Sequence, residues 1–162
     1  MNTNSKKDIT NILNNTNLSY RKTKKLRSEK ISKMASKIAV FSVIRQYINK
    51  YQREFVIKNS KNKGFVIDGR DIGSVVFKKA NLKLFIKVNE KNRAKRRYKQ
   101  LIDTGEKSIY PKILKDIKLR DKKDKDRKNS PLVIPTGAYK IDNNGSFRNT
   151  VRQINNLIKN II

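Results

Sequence analysis

The segment Asp68-Gly69-Arg70-Asp71-Ile72-Gly73-Ser74-Val75-Val76-Phe77 holds the side chains best suited to chemistry, because it sets a guanidinium between carboxylates directly after the apolar run Phe65-Val66-Ile67. A guanidinium presents a planar fork of N–H donors that matches a phosphate, and a carboxylate withdrawn from water accepts hydrogen bonds from amino or hydroxyl groups. Gly69 and Gly73 carry no Cβ, so the main chain there can turn sharply and approach a ligand closely. The chemistry these residues fit is recognition of a small phosphorylated metabolite. Taken alone, the same tetrapeptide also describes a surface turn whose Asp and Arg pair with each other, so the surrounding elements must decide.

Those elements alternate between strand and helix. Phe65 to Ile67 reads as a short buried strand, which would bring Asp68, Arg70 and Asp71 out at its carboxyl end, where open α/β sheets bind ligands. Asn81 to Val88 alternates apolar and polar residues, with Leu82, Leu84, Ile86 and Val88 in phase, and predicts a second strand. Arg93, Arg96 and Arg97 then spread over one helical turn, and Arg120, Asp124 and Arg127 follow at i, i+4 and i+7 on one helix face.

Upstream, Ile31, Met34, Ala35, Ile38, Phe41, Ile44 and Ile48 recur at helical spacing and predict an amphipathic helix carrying Ser36 and Arg45. On the residues alone, Ser36 is a small packing residue and Arg45 a solvated one. Near the end, a short strand around Ala138 to Ile141 precedes a helix with Val151, Ile154, Leu157 and Ile158 at apolar spacing. Asn143-Asn144-Gly145 marks the turn between them, and Asp142 is expected to cap that turn rather than to act in catalysis.

Four motifs in this order, DGRDIGSVVF, KLFIKV, RAKRRYKQL and RDKKDKDRKNSPL, closely resemble the bacterial cytidylate kinases, a family of nucleoside monophosphate kinases. The resemblance runs from about Arg27 to about Asp142 and includes Ala35-Ser36 followed by Arg45, where the family carries an Ala-Ser pair and an Arg nine residues on. It implies transfer of the γ-phosphoryl group of ATP to CMP or dCMP, with Mg²⁺ bridging the donor phosphates. It implies that Ser36, Arg45 and Asp71 meet the cytosine ring, that Arg70 meets the nucleotide phosphate, and that Arg120, Asp124 and Arg127 hold the ribose and phosphates. Arg93, Arg96 and Arg97 fall where the family begins a mobile lid whose Arg side chains close over the transferring phosphoryl group. The residues do not say which of the three faces it, and an exposed basic helix face is the plainer reading for at least one.

The donor cradle is missing from the motif set. This family holds ATP with a Gly-rich P-loop ending in Gly-Lys, and the nearest imitation here, Thr104-Gly105-Glu106-Lys107-Ser108, interposes Glu and has no upstream Gly at the required spacing. The expected fold is therefore α/β, a P-loop kinase-like parallel sheet core without its first βα unit. Its parts would be a monophosphate-binding region (1–60), core strands with the DGRD turn (61–92), a lid with flanking helices (93–130) and a returning core strand and helix (131–162). The expected state is an amino-terminally truncated kinase, weakly active or inactive alone. A separate P-loop-bearing fragment would make it half of a split enzyme; without one it would be a truncated gene product or a CMP binder without catalysis. A sheet short of a strand would expose an edge and an apolar face, which promote association.

Composition suggests a different class. Lys and Arg number 41 against 13 Asp and Glu, a formal charge of +28, which is the footprint of a nucleic-acid binder. Yet Lys, Asn and Ile together make 68 of the 162 residues, the bias an AT-rich coding sequence imposes on any protein, and the Arg residues rather than the Lys occupy the motifs. Basicity then predicts attraction to polyanions without a dedicated groove, and a basic nucleic-acid-binding protein is the competing class. The absence of Cys and His removes disulfides, thiol nucleophiles, His bases and the usual zinc sites. The length allows one domain with a real core. No apolar run is long enough for a membrane span or a signal-peptide core, so the expected location is the cytoplasm, as a monomer if complete. Residues 1–26 are rich in Asn, Lys, Ser and Thr and read as a poorly packed entry segment.

Overall fold

The computed structural model of the chain describes residues 11–13, 15, 29–61, 64–127 and 130–161, so most of the polar opening segment lies outside the described residues. The chain divides into two compact units, Met1–Ile67 and Asp68–Ile162, where the composition had suggested one domain.

The first unit contains α1 (Glu29–Ile38) and α2 (Ser42–Asn59). The apolar periodicity predicts one helix here, but the chain breaks at Phe41, whose backbone is extended (φ −77°, ψ 120°). Periodicity follows side chains and does not register what satisfies the freed carbonyls at a break. In this case Arg45 in the first turn of α2 reaches back, and its Nε donates to the Ala39 carbonyl at 2.6 Å. Beyond α2, Phe65 packs edge-to-face on Phe55 with ring centroids 5.9 Å apart. The expected strand Phe65 to Ile67 does not form, and Val66 is fully exposed at 105%. A three-residue apolar run becomes a strand only when a neighbour takes up its N–H and C=O groups, and among the described residues no ladder reaches it.

The second unit is mixed α/β. It opens with a π-helical turn, Ile72–Val76, closed by Val76 N–H donating to Asp71 O at 3.2 Å and Phe77 N–H to Ile72 O at 2.7 Å. β1 (Leu84–Lys87), α3 (Glu90–Asp103), α4 (Tyr110–Asp126), β2 (Tyr139–Asp142) and α5 (Phe147–Ile161) follow. β1 and β2 pair in parallel, with Leu84 opposite Tyr139 and Lys87 opposite Asp142, so the two predicted strands form the sheet and the helix pair α3–α4 makes the crossover. Val76, Ala94, Leu101, Ile141 and Thr150 are the buried residues among those described, a small core in which Ile141 of β2 is the large side chain fully enclosed.

Local chemistry sets the ends of these elements. Asn89 caps α3 by accepting from Asn92 N–H at 2.7 Å, and Pro111 suits the first turn of α4, where its missing N–H is no loss. The turn after β2 is the expected one: Asp142 Oδ1 accepts from Asn144 N–H at 2.8 Å, so Asp142 caps the turn. Asn144 Oδ1 in turn accepts from Asn89 N–H at 2.8 Å, tying this turn to the start of α3.

The two glycines of the DGRD segment serve close packing rather than unusual backbone angles. A Cβ at Gly69 would lie 2.6 Å from Ile72 Cγ1, and one at Gly73 would lie 3.0 Å from Pro135 Cγ. Gly105 is different. Its φ of +77° is left-handed, and the hydrogen bonds Gly105 N–H to Ile102 O (2.9 Å) and Glu106 N–H to Leu101 O (2.9 Å) form the Schellman stop of α3. The P-loop imitation Thr104 to Ser108 is thus a helix terminator. Gly105→Ala should destabilise the protein by about 1–2 kcal/mol, the cost of a side chain in the left-handed region, measured by urea unfolding. An unchanged midpoint would show that the stop can relax.

Candidate functional site

The second unit gathers its arginines around one face of α4. Asp121 and Asp124 lie one turn apart on that face, with side chains 20% and 14% exposed, in the zone where α3, the DGRD segment and the chain after α4 converge. Arg93 of α3 grips Asp121 with both ends of its fork, Nη1 to Oδ1 at 2.8 Å and Nη2 to Oδ2. Arg70 Nη1 stands 2.9 Å from Asp124 Oδ2 and 3.8 Å from Asp121 Oδ1. Arg127 Nη1 donates to Asp124 Oδ1 at 3.3 Å, and Arg120 Nε lies 4.0 Å from Asp124 Oδ2.

This arrangement modifies the expected helix-face trio. α4 ends at Asp126, and Arg127 is already in extended backbone (φ −68°, ψ 135°). It still joins Asp124 because the following chain doubles back. Its Nε donates to the Ser130 carbonyl, Ser130 adopts φ 54°, and Leu132 N–H reaches Asp124 O at 2.7 Å. Arg120, by contrast, is 61% exposed and stands at the rim.

Of Arg93, Arg96 and Arg97, the three expected to belong to a lid, Arg93 joins the cluster and the other two are engaged elsewhere. Arg96 donates to the Asn143 carbonyl at 2.8 Å and the Gly145 carbonyl at 3.2 Å, holding the turn before α5, and Arg97 Nη1 donates to Gln100 Oε1 at 3.0 Å on its own helix. Asp71 begins the π-helical turn beside Arg70, and its carbonyl accepts from Val75 N–H at 2.8 Å. Ser36 on α1 is exposed and Arg45 is partly buried against Ala39; both belong to the first unit.

Sequence reasoning passed over Asp121, although it stands inside the RDKKDKDR motif. The available signal was its i, i+3 relation to Asp124, which places both carboxylates on the buried side of α4. Its environment holds the Asp121 carboxyl below the ordinary carboxylate range. The hydrogen bonds from Arg93 are the main cause, opposed by burial and assisted by the charges of Arg93, Arg70 and Lys125. The same bond raises Arg93 further above its usual value. Arg93 Nε and Ser74 Oγ are buried without a hydrogen-bond partner.

The fold and site define a mixed α/β protein in which cations from a turn and a helix hairpin converge on a pair of carboxylates. Residues 2–161 match the cytidylate kinase family, and the chain belongs to that family. The cytidylate kinase of Rickettsia akari (strain Hartford) is 45% identical over 138 residues, covering 85% of this chain and 62% of the relative. That of Rickettsia africae (strain ESF-5) is 44% identical over the same coverage, and that of Thermosipho africanus (strain TCF52B) is 40% identical over 79% of this chain and 54% of the relative. The chain thus spans less than two thirds of the length of these relatives.

The lowered Asp121 carboxyl makes stability depend on pH with a definite sign. A carboxyl whose folded value lies below its unfolded value of about 3.9 contributes its full stabilisation above that value, and loses it as pH falls through the folded value. The stability gap between the wild type and Asp121→Asn should therefore be constant near neutrality, at about 1–3 kcal/mol for leaving Arg93 without its charged acceptor. It should close in acid, below the ordinary carboxylate range. Urea unfolding of both proteins across that range measures it, and a gap that is flat down to the acid transition would contradict the assignment.

Proposed function

We propose that this chain carries the acceptor-nucleotide site of a cytidylate kinase, binding CMP or dCMP so that its phosphate can receive the γ-phosphoryl group of ATP and give the diphosphate. The observation that carries this reading, beside the family, is the charge of the cluster. Arg70, Arg93, Arg120 and Arg127 surround Asp121 and Asp124, a net charge of +2. A phosphate monoester carries about −1.5 to −2 near neutral pH, so one nucleotide phosphate would bring the site close to neutrality.

In this reading Arg70 and Arg127 donate to the phosphate, Asp124 accepts from the ribose hydroxyls with Arg120 at the rim, and Arg93 is the lid arginine that reaches the phosphates. Asp71 would read the cytosine ring. Asp71 can accept from the cytosine amino group, whereas in uracil it would face a carbonyl oxygen. Arginines placed beforehand would stabilise negative charge on the phosphate oxygens without reorganising at the moment of reaction.

ATP and Mg²⁺ belong to the proposal at the level of the family. When bound, Mg²⁺ neutralises charge on the donor phosphates and orients them. The described residues contain no group of three or more Asp, Glu, His or Cys that could hold a metal, and the sequence has no P-loop to hold the donor. Asp121 and Asp124 are already engaged by arginines. In this proposal the chain's own residues serve acceptor binding, and none of the described residues is assigned to the donor. A cytoplasmic monomer without specific nucleic-acid binding completes the proposal. Among the described residues no helix is long and apolar enough to cross a membrane.

Calorimetric titration with CMP and UMP tests the reading. CMP should bind more tightly by about 5- to 150-fold, the equivalent of a buried polar mismatch of about 1–3 kcal/mol. Asp71→Asn should narrow that gap, because an amide can donate as well as accept. Arg70→Ala should weaken CMP and UMP alike, since both carry the same phosphate. Equal affinity for the two nucleotides in the folded wild type would remove the base-recognition roles and leave a generic phosphate site.

A further inference from the structure

Asp121 touches two of the cations assigned to the phosphate but has no role in the reading above. Both its oxygens are occupied by Arg93, a bidentate fork that fixes the guanidinium in plane and direction as a single contact would not. Its Oδ1 also lies 3.8 Å from Arg70 Nη1, the atom that stands 2.9 Å from Asp124. Arg93 comes from α3, Asp121 from α4 and Arg70 from the segment before the π-helical turn, so one carboxylate joins separate parts of the unit. Without a fixed anion between them, two guanidinium groups would repel each other and their long side chains would sample many rotamers.

We propose that Asp121 is a positioning residue, which holds the Arg93 and Arg70 guanidiniums as a preset pair for a phosphate group of the ligand. The proposal rests on the reading of Arg70 and Arg93 as phosphate contacts and adds the residue that orders them. It has a counterintuitive consequence. Removing a negative charge beside a phosphate site should strengthen anion binding if Asp121 acts only as a neutraliser, because the net charge of the cluster rises. If Asp121 positions the pair, its removal weakens anion binding despite the added positive charge, because the ordering cost must then be met at the moment of binding.

The experiment compares the wild type, Asp121→Asn and Asp121→Glu by calorimetry with four probes: inorganic phosphate, CMP, UMP and cytidine. Positioning predicts that Asp121→Asn loses about 5- to 30-fold in affinity for phosphate and CMP, equivalent to an ordering cost of about 1–2 kcal/mol, while cytidine affinity stays within error. Asp121→Glu keeps the charge but moves it by one methylene, so it should recover only part of the loss. A pure neutraliser would leave Asp121→Glu equal to the wild type and make Asp121→Asn bind phosphate as well or better; either result overturns the proposal. If Asp121→Asn does not fold, Asp121→Glu alone still separates the two, since a displaced carboxylate matters only for positioning. The underlying reading fails separately. Should CMP bind no better than UMP while phosphate affinity still falls in both variants, the base-recognition roles are lost and the positioning role stands. A folded wild type that binds neither phosphate nor CMP overturns the proposal, there being no anion to position for.

Discussion

Bringing like charges together is the constraint on which the rest of this site depends. Guanidinium groups are never deprotonated at accessible pH, so their mutual repulsion cannot be relieved by a shifted protonation state. It has to be met by fixed anions. The second unit does this with Asp121 and Asp124 on one face of α4, where half-burial strengthens each attraction and the neighbouring cations keep the Asp121 carboxyl ionised. The packing of α3 against α4, the π-helical turn that follows Arg70 and the doubling back at Ser130 all bring a cation to that face. A partly buried ion network of this kind is weak evidence of stability, because desolvation offsets much of the Coulomb gain. What the network does fix is the direction of its guanidinium groups, since each is held to a carboxylate of α4.

The supporting structure is economical. Two four-residue parallel strands and a helix hairpin position the site, and Asn144 links the turn after β2 to the first residues of α3. Arg96 belongs to that framework, since its guanidinium spans the Asn143 and Gly145 carbonyls. Residues one helical turn apart with the same side chain therefore do different work: Arg93 joins the carboxylate cluster, and Arg96 holds the scaffold that carries it. The sequence places them three apart without distinguishing them. Only the approach of the loop from one side and of α4 from the other does so.

What the sequence made legible follows the range of the interaction that decides each feature. β1, β2, α3, α4 and α5 were readable because local periodicity and turn chemistry determine them, and Asp142 was readable as a turn cap because its partner is two residues away. The break before α2 was not, because it is completed by Arg45 reaching the Ala39 carbonyl, a bond invisible to apolar spacing. Phe65 to Ile67 misled for the opposite reason, being apolar and bounded like a strand without a neighbouring strand to pair with among the described residues. Arg70 and Arg127 stand beside Asp124, and Asp121 was missed because its importance arises from Arg93, 28 residues away in sequence.

The basic composition takes on a different meaning beside this geometry. A formal charge of +28 could by itself suggest a nucleic-acid surface. However, the lysines of α4 stand at its surface, and the arginines that grip its carboxylates come mostly from other segments. Lys115, Lys118, Lys122 and Lys125 are exposed, while Asp121 and Asp124 turn toward the arginines. Long-range attraction of any polyanion grows with the total charge and is screened within about 8 Å at physiological salt. Selection of one phosphate depends instead on a few donors at fixed distance, half withdrawn from water, where screening is weaker. The lysines and the arginine cluster thus act over different ranges: the former attract anions generally, and the latter holds its donors at fixed distances.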